Sequence, residues 1–151
     1  MGEFRPVAAV LLYLAGSWRV EPTVRDLGST DEGSFTGTTM FSPLYGGGLL
    51  HHESGTFVVQ GVARPAERTL RFLPDATPGT ADVRFADGRP FHDLDLTSGR
   101  WVTRHPCAAD LYRGEFTVLD TDRRRTVWRV AGPANNLVLT TDYARDWPRT
   151  A

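Results

Sequence analysis

Two of the four histidines, the only cysteine and a dense set of Asp and Arg fall within residues 82–113. The stretch runs Asp82-Val-Arg84-Phe-Ala-Asp-Gly-Arg-Pro-Phe-His92-Asp93-Leu-Asp-Leu96, then reaches His105-Pro106-Cys107 and Asp110-Leu-Tyr112-Arg113. His92 beside Asp93 or Asp110 makes an oriented general base, because imidazole titrates near neutrality and a carboxylate fixes its tautomer. Tyr112 can donate a proton or hold an oxyanion. Arg84 or Arg113, with Arg71 upstream, can clamp a carboxylate or phenolate through the guanidinium fork. The same residues have plainer uses. His92 and Asp93 can lock the Gly88-Arg89-Pro90 turn, and each arginine can pair across strands with Asp82 or Glu115. A Cys107–His105 nucleophile needs a lowered thiol pKa and hydrogen-bond reach. The intervening Pro106 leaves that geometry open, and a buried structural thiol is the simpler reading.

His51-His52-Glu53 adds a second group of ligand types. Consecutive strand residues point to opposite faces, so His51 and Glu53 can converge while His52 cannot join them. Adding His92 or His105 would make a zinc or iron site, and one inward histidine would hold a haem. Nothing in the spacing requires either. The expectation is no cofactor, with haem or a single metal as the alternatives.

The elements that position these groups are mostly strands. Strand-like runs occupy 18–25, 34–41, 48–59, 66–73, 80–85, 92–96, 101–105, 112–119, 125–130 and 137–143, separated by Gly-, Pro- and Asp-rich turns. Pro6 and Gly16 bracket a helix expected over 6–15, with the barrel following over 17–145. Short connections favour a meander. The expected fold is all-β: one closed antiparallel up-and-down barrel of about eight to ten strands, in a single domain over 1–151, with a cavity for one small ligand. Alternation assigns faces without saying which lines the cavity. His92 goes with Leu94 and Leu96, opposite Asp93 and Asp95. Asp82 and Arg84 oppose Val83 and Phe85. Tyr112, Gly114, Phe116 and Val118 oppose Arg113, Glu115 and Thr117. Trp128 and Val130 oppose Arg129, and Leu137, Leu139, Thr141 and Tyr143 share a row. Trp18 is expected across the barrel floor, against Arg129 or the helix, where an arginine would make a cation–π contact. Arg123-Arg124-Arg125 reads as a solvated hairpin turn, and Trp147 as cover for one end.

Composition narrows the function classes. With 17 basic and 18 acidic side chains and a net charge of −1, nucleic acid is not the expected partner. Every basic residue is Arg, which fits a GC-rich genome and excludes Schiff-base and P-loop lysine chemistry. One cysteine allows neither an internal disulfide nor a multi-cysteine metal site. The apolar run over 7–15 is too short to span a membrane, and Glu3 does not suit a secretion signal, so a cytoplasmic protein without membrane contact is expected.

Four stretches carry a resemblance: Tyr13-Leu-Ala-Gly-Ser-Trp18, Gly47-Gly-Leu-Leu-His-His-Glu53, 82–96, and His105-Pro-Cys-Ala-Ala-Asp-Leu-Tyr-Arg-Gly114. Together, over 12–143, the chain resembles an uncharacterised bacterial lipocalin-like family of the calycin superfamily. The resemblance implies a calycin-type barrel and brings no assigned site. The chain departs from it after Gly132-Pro133, where Ala134-Asn135-Asn136 replaces the basic residues expected there. A more distant likeness, to nitrobindin-like haem barrels and fatty-acid-binding barrels, rests on Gly16-Ser17-Trp18 and topology alone.

The function expected first is binding of a small, mostly apolar metabolite with an acidic or polar group. Its candidate contacts are Arg71, Arg84, His51, Glu53, His105, Arg113, Trp128 and Tyr143. The second is proton-transfer catalysis in the same cavity (isomerisation, cyclisation or hydration) by His92, Asp93 and Tyr112. A haem- or metal-binding barrel is third. A small-molecule ligand is the expected partner, and a homodimer through an outer face is allowed.

Overall fold

A computed structural model describes residues 4–26, 32–107, 110–133 and 136–146. Most of the turn expected over 28–33, the Ala134-Asn135 departure, Trp147 and the side chain of Cys107 lie outside the described residues. A short helix, α1 (Val10–Leu14), precedes ten strands. These are β1 (Gly16–Asp26), β2 (Glu32–Pro43), β3 (Leu49–Val59), β4 (Val62–Pro74) and β5 (Thr80–Phe85). They continue with β6 (Pro90–Asp95), β7 (Arg100–Cys107), β8 (Asp110–Asp120), β9 (Arg123–Ala131) and β10 (Asn136–Arg145). Each strand-like run of the sequence is one of these strands. The helix is shorter than expected. Residues 5–9 are not helical, because Arg5 N–H donates to the Val118 carbonyl at 2.8 Å and Val7 N–H to that of Leu96 at 3.0 Å. Those donors serve other strands and cannot begin a helix.

All neighbours in the sheet are antiparallel, in the order β6-β5-β4-β3-β2-β1-β10-β9-β8-β7. The β1–β10 ladder wraps the sheet round, so the barrel is nearly closed, with one seam between β6 and β7. Trp101 Nε1 donates to the Asp93 carbonyl across that seam at 2.8 Å.

Gly16, at φ 107°, turns the chain from α1 into β1, a conformation that disfavours any residue with a Cβ. The turn buries Trp18 completely at the base of the barrel, where its Nε1 donates to the Leu14 carbonyl at 2.8 Å. The indole lies between two guanidinium groups, Arg145 at 3.9 Å from a ring centroid and Arg124 at 4.6 Å. Arg145 also donates to the carbonyls of Ala15, Tyr13 and Thr121 at 3.0, 2.9 and 3.0 Å, tying β10 to the helix and to the β8–β9 turn. The helix contact of Trp18 was legible in the sequence; the arginine was not. Arg129 is exposed on the outer face of β9, because it alternates with the inward Trp128.

Candidate functional site

The inner face of the barrel encloses a small cavity of about 60 Å³. Its walls are mainly Phe41, Leu70, Phe72, Phe116, Trp128 and Leu139. Its polar members are His51 and Glu53 from β3, Arg68 from β4, His92 from β6, Arg124 and Thr126 from β9, and Thr141 and Tyr143 from β10. Glu53, Arg68, Leu139 and Thr141 also line an outer space of about 190 Å³, bounded by Phe35, Phe57, Ala66 and Glu67, which is the mouth.

The two-residue period places these groups. His51 and Glu53 point inward, while His52 is exposed and reaches Thr69 on the outside. Cross-strand register puts Arg68 opposite Glu53 and Leu70 opposite His51. His92 arrives differently. The β5–β6 register passes from Val83↔His92 to Arg84↔Pro90, which leaves Phe91 as an extra residue. Phe91 and His92 are therefore both buried. Phe91 stacks between Phe85 (4.5 Å between centroids) and Trp128 (5.4 Å), and His92 sits against Phe116 (5.3 Å) and Trp128 (5.5 Å). Trp128 needs the glycine opposite it, since a Cβ on Gly114 would lie 2.7 Å from the indole.

His92 Nδ1 lies 2.8 Å from the backbone carbonyl of Asp93. A carbonyl only accepts, so Nδ1 carries the proton and Nε2 is left as the acceptor nitrogen. The Asp93 side chain is exposed and turned away. Tyr112 is partly buried and faces His105 across the β7–β8 ladder. His105 packs against Phe91 and Phe85 at 5.2 and 6.0 Å. The three residues expected to act in proton transfer thus do not meet as one constellation. Arg71, Arg84 and Arg113 lie on the outer face. Arg71 donates to the Ala86 carbonyl, Arg84 pairs with Asp82 at 2.8 Å and reaches the Gly88 carbonyl, and Arg113 pairs with Glu115. Their geometry is that of same-strand and turn pairing.

The inward cations are Arg68 and Arg124, which were not singled out from the sequence. The run 123–125 is no solvated turn. β9 has already begun there, so Arg123 and Arg125 face out, with Arg125 paired to Asp142 at 2.7 Å, and Arg124 is buried. The signal existed: Trp128, Thr126 and Arg124 are two residues apart on one strand face, as Glu53 and His51 are on β3.

Burial sets the electrostatics. It lowers the pKa of His51 to about 3, helped by the Arg124, Arg68 and His52 charges. Burial likewise brings His92 to about 4, against the opposing effect of its bond to Asp93. Both rings are neutral at pH 7. Tyr143 is raised, first by burial and then by the Glu53 carboxylate, whose Oε1 accepts its hydroxyl at 2.9 Å. Burial lowers the pKa of Arg124, but a guanidinium stays charged at any physiological pH. Tyr143→Phe is expected to cost about 1–3 kcal/mol, because a partly buried carboxylate loses a donor and gains no solvent. Urea denaturation at pH 7 checks this; a cost below about 0.5 kcal/mol would show Glu53 to be well solvated already.

Among the described residues, no three His, Cys, Asp or Glu side chains come together as a metal-holding group. No helix there is long and apolar enough to cross a membrane.

Several solved structures share this architecture at low sequence identity. The S-type phycobiliprotein lyase CPES from Guillardia theta matches with a TM-score of 0.66 at 8% identity, over 93% of this chain and 92% of that one. EF1p2_mFAP2b, solved bound to DFHBI, matches with a TM-score of 0.50 at 17% identity, over 92% and 98% of the two chains. A protein of unknown function from the DUF3598 family of Nostoc punctiforme gives 0.50 at 12% identity, over 94% of this chain and 51% of that one. These likenesses show a shared antiparallel β-barrel fold. No curated protein matches the sequence. Residues 14–145, from the end of α1 to the end of β10, match the model of a family described as "Family of unknown function (DUF6314)", and the chain belongs to that family.

Proposed function

We propose that the barrel binds one small, mostly apolar molecule carrying an acidic or polar group. One observation carries this reading: the apolar cavity holds buried polar atoms with no hydrogen-bond partner among the described residues, Nδ1 of His51 and Nε and Nη2 of Arg124. Buried polar atoms in native folds are nearly always bonded, so such orphans mark where a ligand atom or an ordered water belongs. The mixture of aromatic wall with a few convergent polar groups suits a small-molecule site. The likeness to a barrel solved bound to DFHBI supports the same reading by fold alone. The catalytic reading draws less support, since His92 directs its ring proton to a backbone carbonyl and the Asp93 carboxylate faces out.

The test is native mass spectrometry of protein purified without denaturation, paired with an absorption spectrum and with melting curves of stripped protein. A small-molecule adduct, or a rise of about 5 °C or more with members of a panel of hydrophobic acids and alcohols, is expected. Protein that carries no adduct and is stabilised by nothing in the panel would refute the proposal.

A further inference from the structure

We infer that the base of the cavity is a carboxylate site, with Arg124 as its anchor and a compact hydrophobic monoanion as its ligand; this rests on the binding reading above. Arg124 is 8% exposed, and its two orphan nitrogens are Nε and Nη2. Those two N–H groups lie along one side of the guanidinium, the side that meets a carboxylate in a two-pronged bond. Three aromatic rings surround it. The guanidinium carbon lies 3.9 Å from the Tyr143 centroid, 4.6 Å from that of Trp18 and 5.4 Å from that of Phe41. The rings hold the group in place, and Nε and Nη2 have no hydrogen-bond partner among the described residues, which leaves those donors for a ligand.

The contrast with Arg145 is instructive. Both arginines flank Trp18, but Arg145 donates to three backbone carbonyls and so has a structural task that Arg124 lacks.

Charge selects the ligand class. Among the side chains lining the cavity, Arg68 and Arg124 are cations and Glu53 is the anion, while His51, His92 and Tyr143 are neutral. Glu53 faces Arg68 across the β3–β4 ladder and accepts the Tyr143 hydroxyl. Glu67, at the mouth, is exposed and faces His52. The interior therefore carries one excess positive charge, beside Arg124. A carboxylate neutralises it, whereas a phosphate monoester would leave a net negative charge among apolar walls. The walls next to it, Phe41, Phe72 and Phe116, suit an aromatic or branched aliphatic body.

Three probes of similar shape test this: 2-naphthoate, 2-naphthalenemethanol and 2-naphthyl phosphate, titrated calorimetrically into stripped wild-type protein, Arg124→Met and Arg129→Met. Wild type is expected to bind the carboxylate at least about tenfold more tightly than the alcohol and the phosphate. Arg124→Met is expected to weaken the carboxylate about thirtyfold while leaving the alcohol within about threefold. Arg129→Met, altering an exposed arginine of the same strand, should change neither. Independently of any variant, one arginine Nε–H resonance of the wild type should shift on adding the carboxylate and not the alcohol. Equal affinity for acid and alcohol with no shifted Nε–H overturns the anchor while the cavity reading stands. A preference for the phosphate overturns the monoanion assignment. Failure of all three probes to bind counts against both proposals.

Discussion

Trp18→Ala is expected to lower stability by about 4–5 kcal/mol, at the upper end for a buried aromatic, and to lower the melting temperature by about 10–15 °C. The side chain is fully buried, so its whole apolar surface is lost and a void replaces it. The Leu14 carbonyl loses the indole donor that fixes the helix to the barrel. The greater damage is electrostatic. The indole separates Arg124 from Arg145, whose charges already act against each other, and each uses the ring as a cation–π partner. Without the ring, the buried Arg124 and the half-buried Arg145 face one void. Trp18→Phe helps separate the causes, since it keeps an aromatic face while losing the N–H donor and part of the ring volume; about 2 kcal/mol is expected. Denaturant unfolding of both variants is the measurement. A loss below about 2 kcal/mol for Trp18→Ala would show that the indole is not the keystone of the barrel base.

Acidification from pH 7 to pH 5 is expected to cost about 4 kcal/mol, nearly all of it through two histidines. His51 and His92 have folded pKa values lowered to about 3 and about 4 from an ordinary 6.5. The unfolded chain thus binds protons first as the pH falls. Stability is complete above about 6.5 and declines as pH drops towards the folded values, about 2 kcal/mol per ring by pH 5. At His51 the Arg124, Arg68 and His52 charges add to burial; at His92 burial prevails over the opposing bond to the Asp93 carbonyl and the Asp93 charge, with Arg68 and His105 adding to it. The carboxyls Asp87 and Asp95, held below their usual range by hydrogen bonds, lose their contribution only at lower pH, so the window isolates the histidines. The double variant His51→Leu, His92→Leu should show a nearly flat stability between pH 5 and pH 7 in urea unfolding. The same slope in the double variant as in wild type would assign the effect elsewhere.

Much of the barrel was legible because strands and turns announce themselves locally. All ten runs were marked by two-residue periodicity and by Gly, Pro and Asp at their ends, and Gly16-Ser17-Trp18 marked the base. What failed was what depends on distant partners. The helix lost its first turn because Arg5 and Val7 donate to Val118 and Leu96, over a hundred and about ninety residues along the chain. The inward direction of Phe91 together with His92 comes from a register jump that no single-strand period contains. The candidate arginines were chosen by their neighbourhood of Asp and His, yet that neighbourhood is what pairs Arg84 and Arg113 on the outside. Arg124 lay in a run of three arginines that looked like solvent, and only the two-residue step from Trp128 through Thr126 distinguishes it.

The seam between β6 and β7 has a consequence for the protein's company rather than its ligand. A sheet that stops one ladder short of closure keeps two strand edges, and free edges recruit other chains. Here Pro90 opens β6 and Pro106 lies near the end of β7, and neither offers an N–H to an incoming strand. The Trp101 indole occupies the Asp93 carbonyl, and Val7 N–H occupies that of Leu96, just past the end of β6. Whatever tendency this barrel has to add a foreign strand is confined to one narrow slot. That slot is blunted from both sides by residues that contribute nothing to the cavity.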